Sequence, residues 1–439
     1  MANTPRSQSS RRGFFQSFVG ASTAAASMLQ VRAAFAQSIG EVRQGGEAWR
    51  EDWHYDGGFW EKVREKFLLE KGFTYMNNGT LGPTPRPVYE AMVEYWRLMA
   101  VNPHENSAIF QNGVEQTRAK VANFLGATAD EISITRNTTE GNTILCQGLD
   151  LKQGDEILIT AFEHSSNRET WRRQSKRYGL VVKQVNFPLP PDNPAVILNA
   201  FEDAITPRTR VMHFANPLGS TGCFLPVKEL ADLAHSKNIL CFVDGAHCTG
   251  QVRFSLKDWG VDGFACNTHK WLTGPAGSGM LFVKQDVQDR IWPNISIIPW
   301  DKPPKGARKY NLSVGRRPWP VVAVLEDTLD FQNAVGRDRI EQRTRGLGTY
   351  LRRKAADIPG VRTYTPSDPS MSAGITSIGI DKVSGLRLKE YLRQKYDIYV
   401  PGGSRSPGGR VRISTHYYNT FEQVGLLLKA LSELSSGAA

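Results

Sequence analysis

The sequence is poor in cysteine, and the few cysteines that it has are not closely paired. Five cysteines occur in 439 residues, an odd number, and no two of them have CxxC spacing. Such a chain lacks the dense disulfide framework of a small secreted domain, so buried free thiols are expected. A zinc site built from Cys241, His247, Cys248, Cys266 and His269 is a weaker alternative, because the usual ligand spacing is missing.

Three further absences narrow the range of functions. After residue 36 no stretch is apolar for long enough to cross a bilayer, so stable membrane insertion is not expected. No run of Lys and Arg is interleaved with aromatic residues, so nucleic-acid binding is not expected either. A zinc hydrolase or a serine hydrolase is disfavoured, because neither an HExxH motif nor a Ser-His-Asp motif is found.

The first 36 residues have the features of an export signal. Residues 10–15 read Ser-Arg-Arg-Gly-Phe-Phe, the twin-arginine pattern of a bacterial Tat signal peptide. A weakly apolar run (19–31) follows, and Ala-Phe-Ala (34–36) offers a small-residue cleavage site. An amphipathic N-terminal helix or a mitochondrial presequence is the alternative reading, because the segment contains Arg and Ser but no acid. We predict a Tat signal peptide over 1–36 and export of the folded protein to the periplasm.

The charge balance changes when this segment is set aside. The full chain has a formal net charge of +11. Residues 1–36 contain four arginines and no acid, so the remainder carries +7. We interpret this remaining charge as a solvated basic surface, because it is not gathered into a basic run.

Short apolar runs alternate with helical patterns between about residues 130 and 285. The alternation indicates βαβ units, an α/β fold and a mostly parallel sheet, whose chemistry gathers where the strands end. The predicted strands are 156–160, 210–214, 239–243 and 279–283, and the predicted helices between them are 166–178 and 226–237.

The chain is longer than a single hydrophobic core usually supports, so two domains are expected. A segment rich in Pro, Gly, Lys and Arg (293–320) marks a crossing between them. The predicted divisions are a signal peptide (1–36), an N-terminal arm (37–72), a large domain (73–315) and a small C-terminal domain (316–439).

Two charged residues stand at the ends of apolar segments, where burial is costly. Asp244 follows a predicted strand, so it needs a cationic or hydrogen-bonding partner, such as the protonated ring nitrogen of a cofactor. Capping a following helix is the alternative role for Asp244. Lys270 ends another such segment and is followed by a glycine-rich turn (274–279). A confined lysine is kept neutral, as Schiff-base formation requires, whereas an exposed lysine is the bland alternative.

Two polar segments complete the candidate site. Thr138 and Thr139 stand at the start of a predicted helix, where hydroxyl and free N–H groups form an anion site or simply cap the helix. His164 follows the strand 156–160, and its flat ring is suited to stacking on a cofactor. A lone histidine is more often a satisfied surface or core residue, so its position alone decides little.

Six motifs in this order resemble the class V aminotransferase family, which includes cysteine desulfurases and isopenicillin N epimerase-like enzymes. The resemblance runs from about Tyr75 to the C-terminus. The motifs are Asn-Thr-Thr-Glu (137–140), Glu-His-Ser-Ser-Asn (163–167), Asn-Pro-Leu-Gly (216–219), Val-Asp-Gly-Ala-His (243–247), Thr-His-Lys-Trp-Leu-Thr-Gly-Pro (268–275) and Arg-Ile-Ser with Tyr-Asn (412–414, 418–419).

The resemblance implies a pyridoxal 5′-phosphate (PLP) enzyme of fold type I. Its large domain has a mostly parallel sheet flanked by helices and binds the cofactor, and its smaller C-terminal domain is α+β. Lys270 is then the Schiff-base lysine, which also shuttles the proton at the substrate α-carbon, and Asp244 pairs with the ring nitrogen. Arg412 clamps the substrate carboxylate, a planar task that suits arginine, and Asn78 also binds substrate.

The remaining implied contacts surround the cofactor. Asn267 stands where relatives often have Ser, and Gly-Arg-Arg (315–317) resembles a segment that reaches the partner's site in family homodimers. The implied contacts are His164 stacked on the ring, Asn216 and His247 near the ring hydroxyl, Thr138, Thr139, Asn267 and His269 at the phosphate, and Arg316 at the partner's cofactor.

The reaction is only partly determined by the sequence. No cysteine follows Cys266, and a loop at 402–409 offers serines instead, so the persulfide route of a cysteine desulfurase is disfavoured. Transamination of an amino acid or a peptide-like substrate is our first prediction. Epimerisation and a C–S or β-lyase reaction are the alternatives, because all of these differ only in where the proton or leaving group goes. Tailoring of a pyoverdine-type siderophore in the periplasm is one substrate hypothesis that export suggests.

A protein that keeps this fold and binds a ligand without catalysis is the alternative outside enzymes. The sequence argues against it, because Lys270, Asp244 and Arg412 are all intact.

Overall fold

A computed structural model describes residues 11–44, 57–295, 299, 301–310, 315–403 and 409–437, without the side chains of 11–24 and 41. The side chains of the twin-arginine motif and residues 404–408 of the glycine-rich loop lie outside this description.

Helices alternate with strands through most of the described chain. The α-helices are α1 (Arg11–Ser38), α2 (Gly40–Gln44), α3 (Phe59–Glu65), α4 (Arg86–Val101), α5 (Pro103–Leu125), α6 (Thr138–Gln147), α7 (Ser165–Tyr178), α8 (Pro194–Ala204), α9 (Val227–Ser236), α10 (Leu256–Trp259), α11 (Trp319–Val335), α12 (Arg337–Ala356), α13 (Gly385–Tyr396) and α14 (Phe421–Ser435). The strands are β1 (Thr74–Tyr75), β2 (Ile132–Thr135), β3 (Glu156–Thr160), β4 (Val181–Val185), β5 (Thr209–Ala215), β6 (Leu240–Asp244), β7 (Gly263–Asn267), β8 (Gly279–Val283), β9 (Val361–Thr363), β10 (Ile375–Ile380), β11 (Ile398–Tyr399) and β12 (Arg410–Ser414).

Seven strands form a central sheet in the order β2-β8-β7-β6-β5-β3-β4. Only β8 runs against its neighbours, and the other adjacent pairs are parallel. The predicted α/β class, with a mostly parallel sheet, is therefore confirmed. The four predicted strands and two predicted helices are also confirmed, with ends displaced by at most one residue.

Both faces of the sheet are covered, as a parallel sheet requires. Successive side chains of a strand point to opposite faces. Accordingly, Cys241 and Val243 pack in one core layer, whereas Phe242 packs in the other layer with Trp171 of α7. All five cysteines are free and buried, as the sequence predicted.

A smaller antiparallel sheet, in the order β12-β10-β9, forms the second core with α12, α13 and α14. The predicted boundary between residues 315 and 316 stays a prediction. Helix α11 packs against α4 and α5, and almost all of its side chains are buried. Its apolar side chains therefore belong to the large core. The second core begins with α12, which follows Gly336. The short parallel pair of β1 and β11 ties residues 74–75 to the small domain.

The second half of α1 packs against the large domain. Arg32 forms an ion pair of 3.0 Å with the buried Glu326 of α11, and Phe35 and Ile39 are buried in the large core. The predicted cleavage site after residue 36 lies inside this packed segment, so cleavage would remove the Arg32 pair. The signal peptide and the arm at 37–72 stay predictions. Across the described residues, none of the helices combines the length and apolar character that a bilayer span needs.

A close backbone contact supports the segment that follows Lys270. Gly250 has φ +93°, and a Cβ added there would lie 2.4 Å from the backbone nitrogen of Leu272 and 2.5 Å from the carbonyl carbon of Trp271. Gly154 has a similar φ of +87°, but a Cβ there would meet no atom within 4 Å. An alanine at Gly154 would therefore introduce backbone strain alone, whereas an alanine at Gly250 would introduce both backbone strain and overpacking.

We predict that Gly250→Ala destabilises the protein more than Gly154→Ala does. The strain of a positive φ costs about 1–2 kcal/mol at either position, and overpacking adds about 1–3 kcal/mol at Gly250 alone. The free energy of unfolding in urea measures both variants against the unaltered protein. Equal losses of unfolding free energy in the two variants would contradict this prediction and show that the backbone around Trp271 shifts at no cost.

Candidate active site

Most of the predicted site residues line one cavity at the carboxyl edge of the central sheet. Strands β2, β3, β6 and β7 all end there, since they run in the same direction. The cavity has a volume of about 310 Å³. Eight of the twelve predicted residues line it: Thr138, Thr139, His164, His247, Asn267, His269, Lys270 and Arg412.

Lys270 lies just beyond β7 with its amine in this cavity. Burial is the largest influence on the amine and lowers the pKa of Lys270 to about 8. The negative charge of Asp244 raises this pKa, and the positive charge of Arg412 lowers it. The environment of Lys270 thus favours the neutral amine far more than water does.

A hydrogen-bond chain fixes which nitrogen of His247 carries the proton. The Trp271 indole can only donate, and its Nε1 lies 3.3 Å from His247 Nδ1. Burial holds the pKa of His247 well below its usual range, so the ring is neutral. The proton of His247 is therefore on Nε2, which lies 3.2 Å from Lys270 Nζ. The Nε2–H group donates to this amine, and only a neutral lysine accepts that bond.

Asp244 lies at the end of β6, buried beside the cavity. Its Oδ2 accepts a bond of 2.7 Å from Asn142 Nδ2, and its Oδ1 accepts a bond of 3.0 Å from the Ala246 N–H. Within the described ranges no cationic side chain forms an ion pair with it. A buried carboxylate gains most from a charged partner, which a protonated ring nitrogen would supply.

The start of α6 forms an anion site at one end of the cavity. Asn137 caps the helix by accepting from the Glu140 N–H, while Thr138 begins the helix and bonds through its hydroxyl to Asn267 Nδ2 at 2.9 Å. Free N–H groups and the helix dipole favour a phosphate there. Buried Asn267 Oδ1 and His269 Nδ1 also have no hydrogen-bond partner in the described part of the chain. The His269 nitrogen, when it carries a proton, fits a bound phosphate, whereas the Asn267 oxygen can only accept and would need a donor instead.

His164 is exposed at the rim of the cavity, after β3. Its Nδ1 accepts from the Ser166 N–H at 3.1 Å and so caps α7. Desolvation of the ring and the positive charge of Lys270 lower the pKa of His164, which favours the uncharged ring. The cap holds this ring at the cavity, where it is available for stacking.

Arg412 brings the small domain into the cavity. It projects from β12, and its guanidinium donates to the Gly219 carbonyl at 3.1 Å and to Thr80 Oγ1 at 2.7 Å. Burial lowers the pKa of Arg412 to about 10, which still leaves it charged. None of the carboxylates in the described residues pairs with it, so it is available for a carboxylate of the substrate.

Besides Asp244, three predicted residues lie outside the cavity lining. Asn216 follows β5 and donates its backbone N–H to the Asp244 carbonyl, next to the site. Asn78 is buried and holds the backbone carbonyl of Lys270 at 3.0 Å, while its own amide oxygen accepts from Tyr418. Arg316 is exposed and bonds to Ser107 on α5. Their proposed contacts with substrate or cofactor stay predictions.

Two residues that the sequence did not reveal shape the site. Asn142 holds Asp244, and its position four residues after Thr138 places it on the same face of α6. Trp271 sets the tautomer of His247, although only its place beside Lys270 hinted at a role. Among the described residues, no three His, Cys, Asp or Glu side chains are grouped so that they could hold a metal.

Comparisons with known proteins agree with this geometry. The family model described as aminotransferase class-V matches residues 74–427. The chain is 31% identical over 400 residues to an isopenicillin N epimerase from Amycolatopsis lactamdurans, covering 86% of this chain and 98% of that protein. It is 29% identical over 409 residues to a probable cysteine desulfurase from Methanothermobacter thermautotrophicus, covering 85% and 98%.

Solved structures share the fold. An apo cysteine desulfurase from Thermococcus onnurineus NA1 matches with a TM-score of 0.77 at 25% identity, over 86% of this chain and 98% of that one. A mutant of C-DES with glycine linked to its PLP cofactor matches with a TM-score of 0.74 at 26% identity, over 84% and 99%. The fold is that of fold-type I PLP-dependent enzymes, and the chain belongs to the class V aminotransferase family.

Proposed function

We propose that this protein uses pyridoxal 5′-phosphate to transaminate an amino acid, or an amino group of a peptide-like substrate. The observation that carries the proposal is the buried Lys270 amine, whose pKa is lowered to about 8 and which shares one cavity with an anion site at α6 and with Arg412. An amine for attachment, an anion site for phosphate and a cation for carboxylate are the groups that such a reaction needs.

The residues of the chain divide the work between binding and proton transfer. The bound cofactor supplies an electron sink for the substrate α-carbon. The start of α6 binds the phosphate, Asp244 keeps the ring nitrogen protonated, and Arg412 orients the substrate carboxylate. Lys270 Nζ would hold the cofactor and, once released from it, would take the proton from the substrate α-carbon. Transamination requires this proton to be delivered to the cofactor carbon, whereas its return to the α-carbon gives only exchange or epimerisation. His247 Nε2 lies 3.2 Å from that nitrogen and would orient the free amine, giving up this contact when the lone pair takes the proton.

Epimerisation is the second candidate, because the relatives that match over 86% of this chain include an isopenicillin N epimerase. A lyase reaction is a further alternative, since a structural neighbour is named as a cystine C-S lyase, at 26% identity and a TM-score of 0.73. The persulfide route of a desulfurase remains disfavoured. All five cysteines are buried, and none of them lines the cavity.

We predict that Lys270→Ala abolishes exchange of the substrate α-proton, because no other side chain in the cavity combines a neutral amine with this position. The holoenzyme is incubated in deuterium oxide with a panel of amino compounds, and α-deuterium is measured by mass spectrometry. Lys284→Ala is the control, since Lys284 follows β8 at the opposite edge of the sheet. Removal of a catalytic acid–base group typically costs about 10²–10⁴-fold in rate.

The products of this incubation distinguish the candidates. Transamination gives a 2-oxo acid or an aldehyde, epimerisation gives the inverted amino compound without carbonyl product, and a lyase releases the leaving group. A protein that takes up no PLP, as judged by visible absorbance that borohydride bleaches, would contradict the enzyme proposal and favour a ligand-binding protein.

We predict that PLP uptake by the apoprotein rises with pH, with a midpoint at about pH 8, and levels off about one pH unit higher. The neutral amine of Lys270 is the reactive form, and its fraction grows until the pH exceeds the lowered pKa. Removing a nearby positive charge raises that pKa, so Arg412→Gln moves the midpoint to higher pH. Asp244→Asn removes a negative charge and moves it to lower pH. Stopped-flow absorbance measures the uptake.

The quantity to compare is the difference in midpoint pH between variants, because free PLP titrates in the same way in every experiment. Arg339→Gln is the matched control, as this half-buried arginine lies over the Phe59 ring at 4.9 Å, on α12. Midpoints that coincide in all variants would show that Lys270 does not limit uptake.

We further propose that the enzyme is exported by the Tat machinery and acts as a homodimer in the periplasm. The twin-arginine motif supports export, and the exposed Arg316, which bonds to Ser107 and does not line the cavity of its own chain, supports a shared interface. Replacing Arg11 and Arg12 with Lys is expected to retain the protein in the cytoplasm. Cell fractionation followed by light scattering tests both points. A periplasmic particle of monomer mass would contradict the dimer, and unchanged export would contradict the Tat route.

A further inference from the structure

A second cavity adjoins the cofactor cavity, because Arg412 lines both of them. This second cavity has a volume of about 330 Å³ and opens to solvent. None of the contacts assigned to cofactor or substrate above uses it, apart from Arg412 itself. Its wall combines turns with the two central strands of the small sheet: Gly219, Ser220, Ser377, Pro401, Gly402, Gly403, Arg410, Val411 and Arg412.

Two arginines project from the same face of β12 into this space. Arg410 and Arg412 are two residues apart, so their side chains share a face and start about 7 Å apart along the strand. On the neighbouring strand β10, Ser377 lies opposite Arg412 and Gly379 lies opposite Arg410. Because Gly379 has no side chain, nothing on that strand fills the space across from Arg410.

The charges of this cavity are uncompensated. In the part of the chain that the structure describes, no carboxylate pairs with Arg410, whose guanidinium lies 5.0 Å from the Tyr364 ring centre. By contrast, Arg362 on β9 in the same small sheet is paired with Asp381 at 2.6 Å. Two unpaired cations on one wall attract an anion and repel each other until one binds.

Two buried polar atoms beside these cations also lack a partner. Ser377 is almost fully buried, and its Oγ forms no hydrogen bond among the described residues. The Nε atom of Arg412 likewise has none. A buried polar group without a partner costs free energy, so a ligand that reaches this wall would recover it.

We propose that this second cavity binds a distal carboxylate of the substrate, with Arg410 as its principal cation and Ser377 as a further donor. This proposal rests on the proposed function, in which Arg412 holds the α-carboxylate. The substrate is then an acidic amino acid, or a peptide-like amino compound with a second carboxylate. The spacing of the two arginines along β12 sets the distance between the two carboxylates.

Binding of simple acids to the holoenzyme tests this assignment without requiring turnover. Calorimetry compares glutarate with pentanoate, which has the same number of carbons but only one carboxylate, and then succinate and adipate for length. We expect glutarate or adipate to bind at least about tenfold more tightly than the matching monocarboxylate, a typical gain for a charge-assisted hydrogen bond. Added salt is expected to reduce this preference, because Arg410 is partly exposed.

Arg410→Gln is expected to bring the ratio of dicarboxylate to monocarboxylate affinity close to one. Arg339→Gln is the control and is expected to leave this ratio unchanged. Arg339 is also half-buried over an aromatic ring, but it belongs to α12 and does not line the second cavity. A preference that survives Arg410→Gln, or that is absent from the unaltered protein, would overturn the subsite.

A failure of the proposed function gives a different pattern. If Arg412→Gln weakens pentanoate binding and dicarboxylates are not preferred, the α-carboxylate role stands and the distal subsite is wrong. If dicarboxylates bind through Arg410 but no amino compound exchanges its α-proton, the anion site stands and the proposed reaction is wrong.

Discussion

The site depends on lowering the pKa of one lysine amine, so that far more of it is neutral than in water, in a cavity lined with polar and charged groups. A lysine in water is protonated at neutral pH, and a protonated amine neither attacks a carbonyl nor accepts a proton. Burial and the positive charge of Arg412 lower the pKa of Lys270 and so favour its neutral form. Trp271 acts indirectly, because its indole donates a hydrogen bond to His247. With the indole as a donor, the imidazole has its remaining proton on the side of the lysine, and a protonated amine could not accept the resulting bond.

The parallel sheet explains why these groups meet at all. Asp244 and Lys270 are far apart in sequence, yet they follow the neighbouring strands β6 and β7, which end at the same edge. A helix must return the chain between parallel strands, so a helix start such as that of α6 also lies at this edge. Asp244, the Lys270 amine and the start of α6 therefore meet because of one topology. The small domain adds the arginines of β12, to which we assign the carboxylates of the substrate.

Sequence patterns predicted the parts of the molecule that local chemistry determines. The runs at 156–160 and 279–283 are apolar throughout because their strands are buried on both faces, so their bounds were predicted exactly as β3 and β8 have them. The boundary at residue 315 stays a prediction, because a turn-rich segment signals only a loop, whereas the packing of α11 against α5 is a tertiary property that no local pattern records. Likewise, the tautomer of His247 and the backbone contact of Asn78 depend on residues distant in sequence, and no local pattern records them.

The position of Arg412 links the choice of substrate to the relation between the two domains. Its strand belongs to the small domain, but its guanidinium is held by Gly219 of the large domain and by Thr80. The hydrogen bonds to these two groups fix one carboxylate position relative to Lys270. Arg410 has no such bond to the large domain among the described contacts, so its position follows the small sheet alone. A shift of that sheet would therefore change the distance from Lys270 to the second anion position more than the distance to the first. Related enzymes could in this way keep the chemistry of the large sheet and alter substrate length through β12.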